Sequence, residues 1–286
     1  MQKVSELLDL LNLERLEVNL FRGQSKSVGS SRVFGGQVLA QSLSAAMRTV
    51  PEDRFVHSLH GYFVLPGDVD LPIVFEVDRI RDGGSFTTRA VKAIQNGAAI
   101  FHLTASFQKD QEGYEHQVSA PDVLRYDELV SYEGMAKQFG DALPENIRKL
   151  LAIKRPLEFR PVEFLNPFNN EKYEPYRNVW LKSNGSMSDN RREHALVLAY
   201  TSDYNLLTTA LLPHGKALDY RSIQLASLDH AMWFHRPFRA DEWLLYSIDS
   251  PSASGARGFT RGNIFDAEGK LVASVVQEGL MRKIKK

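Results

Sequence analysis

Three polar side chains fall where the residue pattern expects apolar ones, and all three lie in the second half of the chain. Asp203 shares a helical face with Leu196 and Ala199 before it and with Leu206, Leu207 and Ala210 after it. A carboxylate on that face points into a core, where an unpaired charge costs several kcal/mol. It must be hydrogen-bonded, protonated or put to use. Gln277 lies on a strand-like segment whose same-parity residues are Leu271, Ala273, Val275, Gly279 and Met281, so its amide also needs partners. Ser227 shares strand parity with Asp229, Ala231 and Trp233, a less apolar set. Each has a structural alternative: an Asp capping a backbone group, a Gln bonded to the backbone, a small strand hydroxyl.

Other chemistries lack their residues. The chain contains no cysteine, which removes thiolate nucleophiles, disulfides and cysteine-ligated metals together. There is no Gly-x-Ser-x-Gly elbow, no P-loop and no Gly-x-Gly-x-x-Gly. Asp229-His230 beside Ser227 suggests a triad, but adjacent strand residues face opposite ways. His57/His60 and His230/His235 lack helical metal-ligand spacing, and on strands each pair projects to opposite faces. No metal and no cofactor is expected.

The elements that must carry these residues follow a repeated order. Residues 3–17 read as a short helix, and Phe34-Gly35-Gly36 opens a second one from Gln37 to Arg48. Strand-like segments follow at Phe55–Leu65, Ile73–Ile80, Ser85–Gln95 and Ala98–Phe107, with Asn96-Gly97 as a hairpin turn. Residues 109–155 are rich in Gln, Glu, Asp and Lys, and read as a linker with one or two short helices. Strand-like Val162–Leu165 and Asn178–Lys182 then precede a helix over Arg192–Leu212. Strands at Ile223–Phe234, Trp243–Asp249, Ala256–Phe265 and Leu271–Arg282 follow, with Glu268-Gly269 turning the last hairpin. Arg89 to Gly97 and Arg261 to Gly269 are both eight residues apart, each Arg shortly after a Phe. The repeated order points to an internal duplication; the alternative is two unrelated α+β segments. The division is 1–108, 109–155 and 156–286, and the class is α+β. Matching the hairpins puts Ala105 opposite Gln277, and the Gln37–Arg48 helix carries no acidic residue, so one polar set per chain is expected.

Lys plus Arg equals Asp plus Glu at 35 each in 286 residues, so no global basic field serves nucleic acid or an anionic membrane. No apolar run reaches the ~18 residues of a membrane span, and the first residues lack the pattern of a signal peptide. Lys285-Lys286 does not read as a peroxisomal address. A cytoplasmic protein without nucleic-acid or membrane partners is expected.

Several stretches in order resemble the acyl-CoA thioesterase II family along nearly the whole chain. They are Leu20-Phe21-Arg22-Gly23, Val33-Phe34-Gly35-Gly36-Gln37, His57-Ser58-Leu59-His60, Arg81-Asp82-Gly83-Gly84-Ser85-Phe86, Arg160-Pro161-Val162-Glu163, Asp229 to Pro237, and Val276-Gln277-Glu278-Gly279. The resemblance implies a tandem (double) hot-dog, each half an antiparallel sheet wrapped around a long central helix. It implies hydrolysis of medium- to long-chain fatty acyl-CoA by a water held by an Asp, a Thr or Ser, and a Gln. These fall on Asp203, Ser227 and Gln277; bacterial relatives often have Thr at the middle position. It further implies a homo-oligomer, dimer or tetramer. Gly35-Gly36 could bring N–H donors to an oxyanion, or simply let helix and sheet pack closely. His57 could reach the thioester, or be structural. Arg81, Arg89, Arg257 and Arg261 are candidates for the CoA phosphates. An enoyl-CoA hydratase is the first alternative, but Asp203-Tyr204-Asn205-Leu206-Leu207-Thr208 lacks the Pro and His of that motif. A non-catalytic acyl-CoA-binding module is the second.

Overall fold

A computed structural model describes residues 1–140, 142, 145–163, 165, 171–215 and 222–284. Its strands form one antiparallel sheet that runs through the whole chain. The first helix, α1 (Val4–Leu11), turns Val4, Leu7 and Leu11 inward. It is shorter than the apolar pattern suggests. Asn12 ends it, and Glu14–Glu17 (β1) pairs with Leu20–Gly23 (β2) in a hairpin that leaves Leu16 exposed. The second helix, α2 (Gly35–Met47), is buried from Gly36 to its end. A helix buried on all sides needs a sheet to wrap it. That sheet is β2, β4 (Ile73–Asp82), β5 (Phe86–Gln95), β6 (Ala98–Gln108) and β3 (Phe55–Phe63), in that spatial order. Alternation does the rest: Phe75, Val77, Val91, Ala93, Leu103, Ala105 and Phe107 face the helix while Glu76, Lys92, His102 and Thr104 face solvent. Asn96 and Gly97 both have positive φ (48° and 74°), as the expected hairpin turn requires.

The second unit repeats this plan with α5 (Arg191–Ser202) and α6 (Leu206–Thr209) inside. Its strands are β7 (Leu157–Pro161), β8 (Tyr176–Ser183), β9 (Ile223–Ser227), β10 (Asp229–Phe234), β11 (Leu244–Ser254), β12 (Arg257–Asp266) and β13 (Leu271–Lys283). The order continues from β3 as β10, β13, β12, β11, β8, β7, with β9 also paired to β13. The two hot-dog units are thus joined edge to edge by β3 and β10, with Met232 opposite Leu59 and Ala231 opposite His60. Their inner helices α2 and α5 also pack on each other. The strand expected at Val162–Leu165 lies earlier, at β7; residues 162–163 form a bend and Phe164 is outside the described residues. Lys285-Lys286 are also outside them.

Between the units run two short helices, α3 (Tyr132–Phe139) and α4 (Glu145–Leu151). The stretch before them lies across the outer face of the second sheet. Ala120, Val123, Tyr126 and Leu129 cover Trp180, Leu245 and Phe265, and the Trp180 indole N–H donates to the Leu124 carbonyl at 2.9 Å. This explains why β8 is buried along both faces.

Arg89 and Arg261 are not equivalent, although their spacing to a hairpin glycine is the same. Arg89 is wholly buried and donates to the Thr49 carbonyl and hydroxyl at the end of α2 and to Asp82. Arg261 points to solvent and pairs with Asp249. Both hairpins carry a register shift, but the first closes on a two-residue turn with Gln95 opposite Ala98, whereas the second closes on a longer loop with Phe265 opposite Leu271, so equal spacing to a glycine does not give equal facing. Arg89 is therefore committed to the fold and is withdrawn as a phosphate ligand. Arg257 is exposed and paired with Glu278.

Among the described residues no helix is long and apolar enough to cross a membrane.

Candidate active site

Asp203 does not sit in mid-helix, as the unbroken apolar pattern over Arg192–Leu212 implies. It is the C-terminal cap of α5, and the chain then passes through Asn205 at φ 65° before α6 begins. Local chemistry makes the break. Thr201 and Ser202 turn their hydroxyls back onto the Val197 and Ala199 carbonyls, and the Tyr246 hydroxyl takes the Ser202 carbonyl. Asn tolerates the left-handed conformation that follows. The helix resumes with Leu206 and Leu207 buried, so the apolar period survives the interruption and conceals it.

The break aims the Asp203 carboxylate at the start of α2, in the other unit. Its Oδ2 accepts the Gly36 N–H at 2.9 Å, at the positive end of that helix. Two glycines permit the approach. A Cβ on Gly35 would stand 2.7 Å from Asp203 Oδ2, and one on Gly36 would stand 2.3 Å from the Tyr200 carbonyl oxygen. The Gly35-Gly36 turn does reach the site. The Gly36 N–H, however, is spent on Asp203, so it holds the carboxylate and is not a free oxyanion donor.

The other carboxylate oxygen faces the C-terminal sheet. Oδ1 accepts the Gln277 Nε2–H at 2.8 Å and the Ser227 hydroxyl at 3.5 Å, a long contact. The structure therefore brings all three sequence-derived residues to one oxygen atom. They come from the end of α5, the end of β9 and the inner face of β13. The Asp203 side chain is only 6% exposed, whereas Ser227 and Leu228 are half-buried. The rings of Phe34, Phe63, Tyr200 and Tyr204 surround the glycine turn, with Phe34 4.6 Å from Tyr204 and Phe63 4.7 Å from Phe101 between centroids. Burial raises the hydroxyls of Tyr200 and Tyr204 above the ordinary phenol range.

One neighbour is a residue that strand parity had set aside. His230 lies wholly buried beside the trio, with its Nδ1 4.0 Å from Asp203 Oδ1 and 3.1 Å from Gln277 Nε2. Its Nε2 lies 2.9 Å from the Ser202 hydroxyl. Burial pushes the imidazole down to about 4, against the opposing pull of Asp203. On an unbroken strand Ser227 and His230 would face opposite ways. The strand breaks at Leu228, whose N–H donates to the Glu278 carbonyl while Asp229 takes the Glu278 N–H. Pairing with β13 shifts by one residue there, from Ser227↔Gly279 to Ala231↔Val276. Both side chains can then face inward. The available signal was the parity His230-Met232, which marks an inward face.

His57 does not contribute. It lies on the solvent side of β3, bonded to Ser106 at 2.8 Å and edge-on to Phe86. A register shift between Val56 and Ser58 puts His60 on that same side, so this pair does not project to opposite faces as expected. Among the described residues no three His, Asp or Glu side chains are placed to hold a metal ion.

With this geometry in hand, likeness to known proteins is informative. A family model described as acyl-CoA thioesterase matches residues 147–280, and one described as acyl-CoA thioesterase N-terminal domain matches residues 22–108. The chain is similar to acyl-CoA thioesterase 2 of Haemophilus influenzae, 42% identical over 279 residues and 98% of each chain. It is similar to acyl-coenzyme A thioesterase 8 of Homo sapiens, 41% identical over 281 residues, 96% of this chain and 88% of that one. A crystal structure of an acyl-CoA thioesterase II from Mycobacterium marinum superposes with a TM-score of 0.79 at 43% identity, covering 97% of this chain and 98% of that one. A hot-dog protein from Alicyclobacillus acidocaldarius shares the fold at 19% identity, with a TM-score of 0.75 over 97% of this chain and 98% of that one. The chain belongs to the acyl-CoA thioesterase II family.

Proposed function

We propose that this protein hydrolyses medium- to long-chain fatty acyl-CoA to free fatty acid and CoA, by direct attack of a water held by Asp203, Ser227 and Gln277. The observation that carries the reading is the convergence of three donors, from α2, β9 and β13, on one nearly enclosed carboxylate. A thioester carbonyl is more electrophilic than an ester carbonyl, because sulfur donates poorly into it. A positioned water with a carboxylate to take its proton is sufficient chemistry. The water oxygen bonds to the carbonyl carbon as its proton passes to Asp203. The tetrahedral intermediate collapses, the C–S bond breaks, and the proton returns to the departing sulfur.

Geometry divides the supporting roles. Both Gln277 amide protons are given away, to Asp203 and to His230, so Gln277 fixes the carboxylate. Its Oε1 is buried with no hydrogen-bond partner among the described residues. Such an oxygen costs about 1–3 kcal/mol unless water or substrate supplies a proton. The long Ser227 contact leaves that hydroxyl free to turn to the water. The rings of Phe34, Phe63 and Tyr204 supply an apolar wall for the acyl chain, and Arg81, Arg257 and Arg261 remain candidates for the CoA phosphates.

His230 beside Asp203 does not revive hydration. Its ring is wholly buried, and both nitrogens are bound inside the protein. The same proposal includes the division into halves 1–108 and 156–286 joined by 109–155, a homo-oligomeric state and a cytoplasmic location.

Release of free thiol from decanoyl-CoA, compared with crotonyl-CoA, tests the reading. Thiol from decanoyl-CoA supports it. Water addition to crotonyl-CoA without thiol release, or tight binding of decanoyl-CoA without turnover, overturns it. In a single turnover in isotopically labelled water, direct attack puts the label into the first fatty acid released. An unlabelled first product would instead mean transfer of the acyl group to the Asp203 carboxylate.

A further inference from the structure

We propose that His230 is a positioning residue for this reaction: its neutral ring fixes which way the Gln277 amide points, and through that amide it fixes the Asp203 carboxylate. The proposal rests on the roles given above to Gln277 and Asp203.

The argument follows a chain of hydrogen bonds whose direction is set at one end. The Ala199 carbonyl can only accept, and it takes the Ser202 hydroxyl proton at 2.9 Å. Ser202 Oγ can then only accept from the His230 ring, 2.9 Å away, so His230 Nε2 carries the ring proton. His230 Nδ1 is left as a lone pair, facing Gln277 at 3.1 Å. The amide must present its nitrogen there. The same nitrogen donates its second proton to Asp203 Oδ1 at 2.8 Å. A flipped amide would set its oxygen against a carboxylate oxygen and an imidazole lone pair at once.

Without the ring, Asp203 alone would orient the amide. With it, two acceptors on different elements hold both amide protons, and Gln277 Oε1 has a single direction. The ring is itself held from behind. The Tyr246 hydroxyl donates to the Ser202 carbonyl at 2.9 Å and so fixes the residue that reads the His230 tautomer. Opposite His230 on β3 is Gly61, against whose bare Cα the Phe101 ring packs. A fully buried histidine, bonded at both nitrogens and touching no solvent, suits a fixed relay of orientation and not a proton shuttle.

The test combines kinetics with spectroscopy. His230→Phe is expected to lower kcat on decanoyl-CoA at least ~10-fold, about the value of one well-made hydrogen bond, with KM changed less than ~3-fold. His230→Gln, which can present an acceptor, should recover part of the loss. In a Gln277→Ala background, His230→Phe should cost nothing further, because the residue through which it acts is gone. Full activity of His230→Phe, or losses that multiply in the double variant, overturns the proposal. A Gln277→Ala variant as fast as the wild type would instead overturn the reading of Gln277 itself. Independently of any variant's folding, nitrogen NMR of ring-labelled histidine in the intact protein near neutral pH, with the His230 ring assigned separately from that of His194, which its own partners also protonate at Nε2, should show Nε2 protonated and Nδ1 bare. A proton on Nδ1 of that ring contradicts the proposal.

Discussion

The Asp203 carboxylate accepts hydrogen bonds from Gly36, Gln277 and Ser227, which stand in three separate stretches of chain. Two of the proposed catalytic residues were legible as misfits, a carboxylate and an amide on otherwise apolar faces. That signal is physical, because burial without partners is costly. Ser227 gave a weaker one, and His230 gave only its shared parity with Met232, because the strand break at Leu228 resets the alternation between it and Ser227. Its burial has a consequence at low pH. The unfolded ring binds a proton near its ordinary 6.5, whereas burial beside Asp203 holds the folded ring at about 4. Between those values the unfolded chain carries a proton that the native one lacks. Stability therefore falls as pH drops from about 6.5 towards about 4. Denaturant midpoints of wild type and His230→Asn across that range check it. The wild type should lose the larger share, and parallel curves would contradict the assignment.

At the scale of elements, the strands of the first unit were readable because one face is buried and one is wet. The helices were overdrawn. An apolar period runs from residue 192 to 212 although the helix stops at Ser202, and it runs to residue 17 although α1 stops at Leu11. Periodicity reports which side is buried, not whether the backbone is continuous. Close approach of α5 to the start of α2 was legible only as two adjacent glycines. The two should fail differently when given a side chain. Gly36→Ala drives a methyl into the Tyr200 carbonyl, which is backbone, and should lower stability by about 1–3 kcal/mol. Gly35→Ala presses on the Asp203 carboxylate, which can swing away. It should cost more in kcat than in thermal midpoint. Equal midpoints and equal turnover in the two variants would show that the helix start does not hold the carboxylate.

On the scale of the whole molecule, the repeated order of a helix followed by a run of strands was legible, but the matched hairpin spacing paired a buried Arg89 with an exposed Arg261, and the way the units join was not legible. The β3–β10 pairing and the α2–α5 contact make one sheet and one core of both. Heating or denaturant should accordingly unfold the two units in one transition, with fluorescence of Trp180, Trp233 and Trp243 in the second unit tracking loss of total secondary structure. Two resolved transitions would mean that the seam is weaker than its packing implies. The join also places a backbone N–H of one unit on the carboxylate of the other, so the site belongs to neither alone. The most direct test of the central claim is thiol release from decanoyl-CoA by Asp203→Asn, with circular dichroism and melting compared with wild type. A folded variant slower in kcat by at least ~100-fold is the expected result for loss of the base; a folded variant turning over near the wild-type rate would contradict the account.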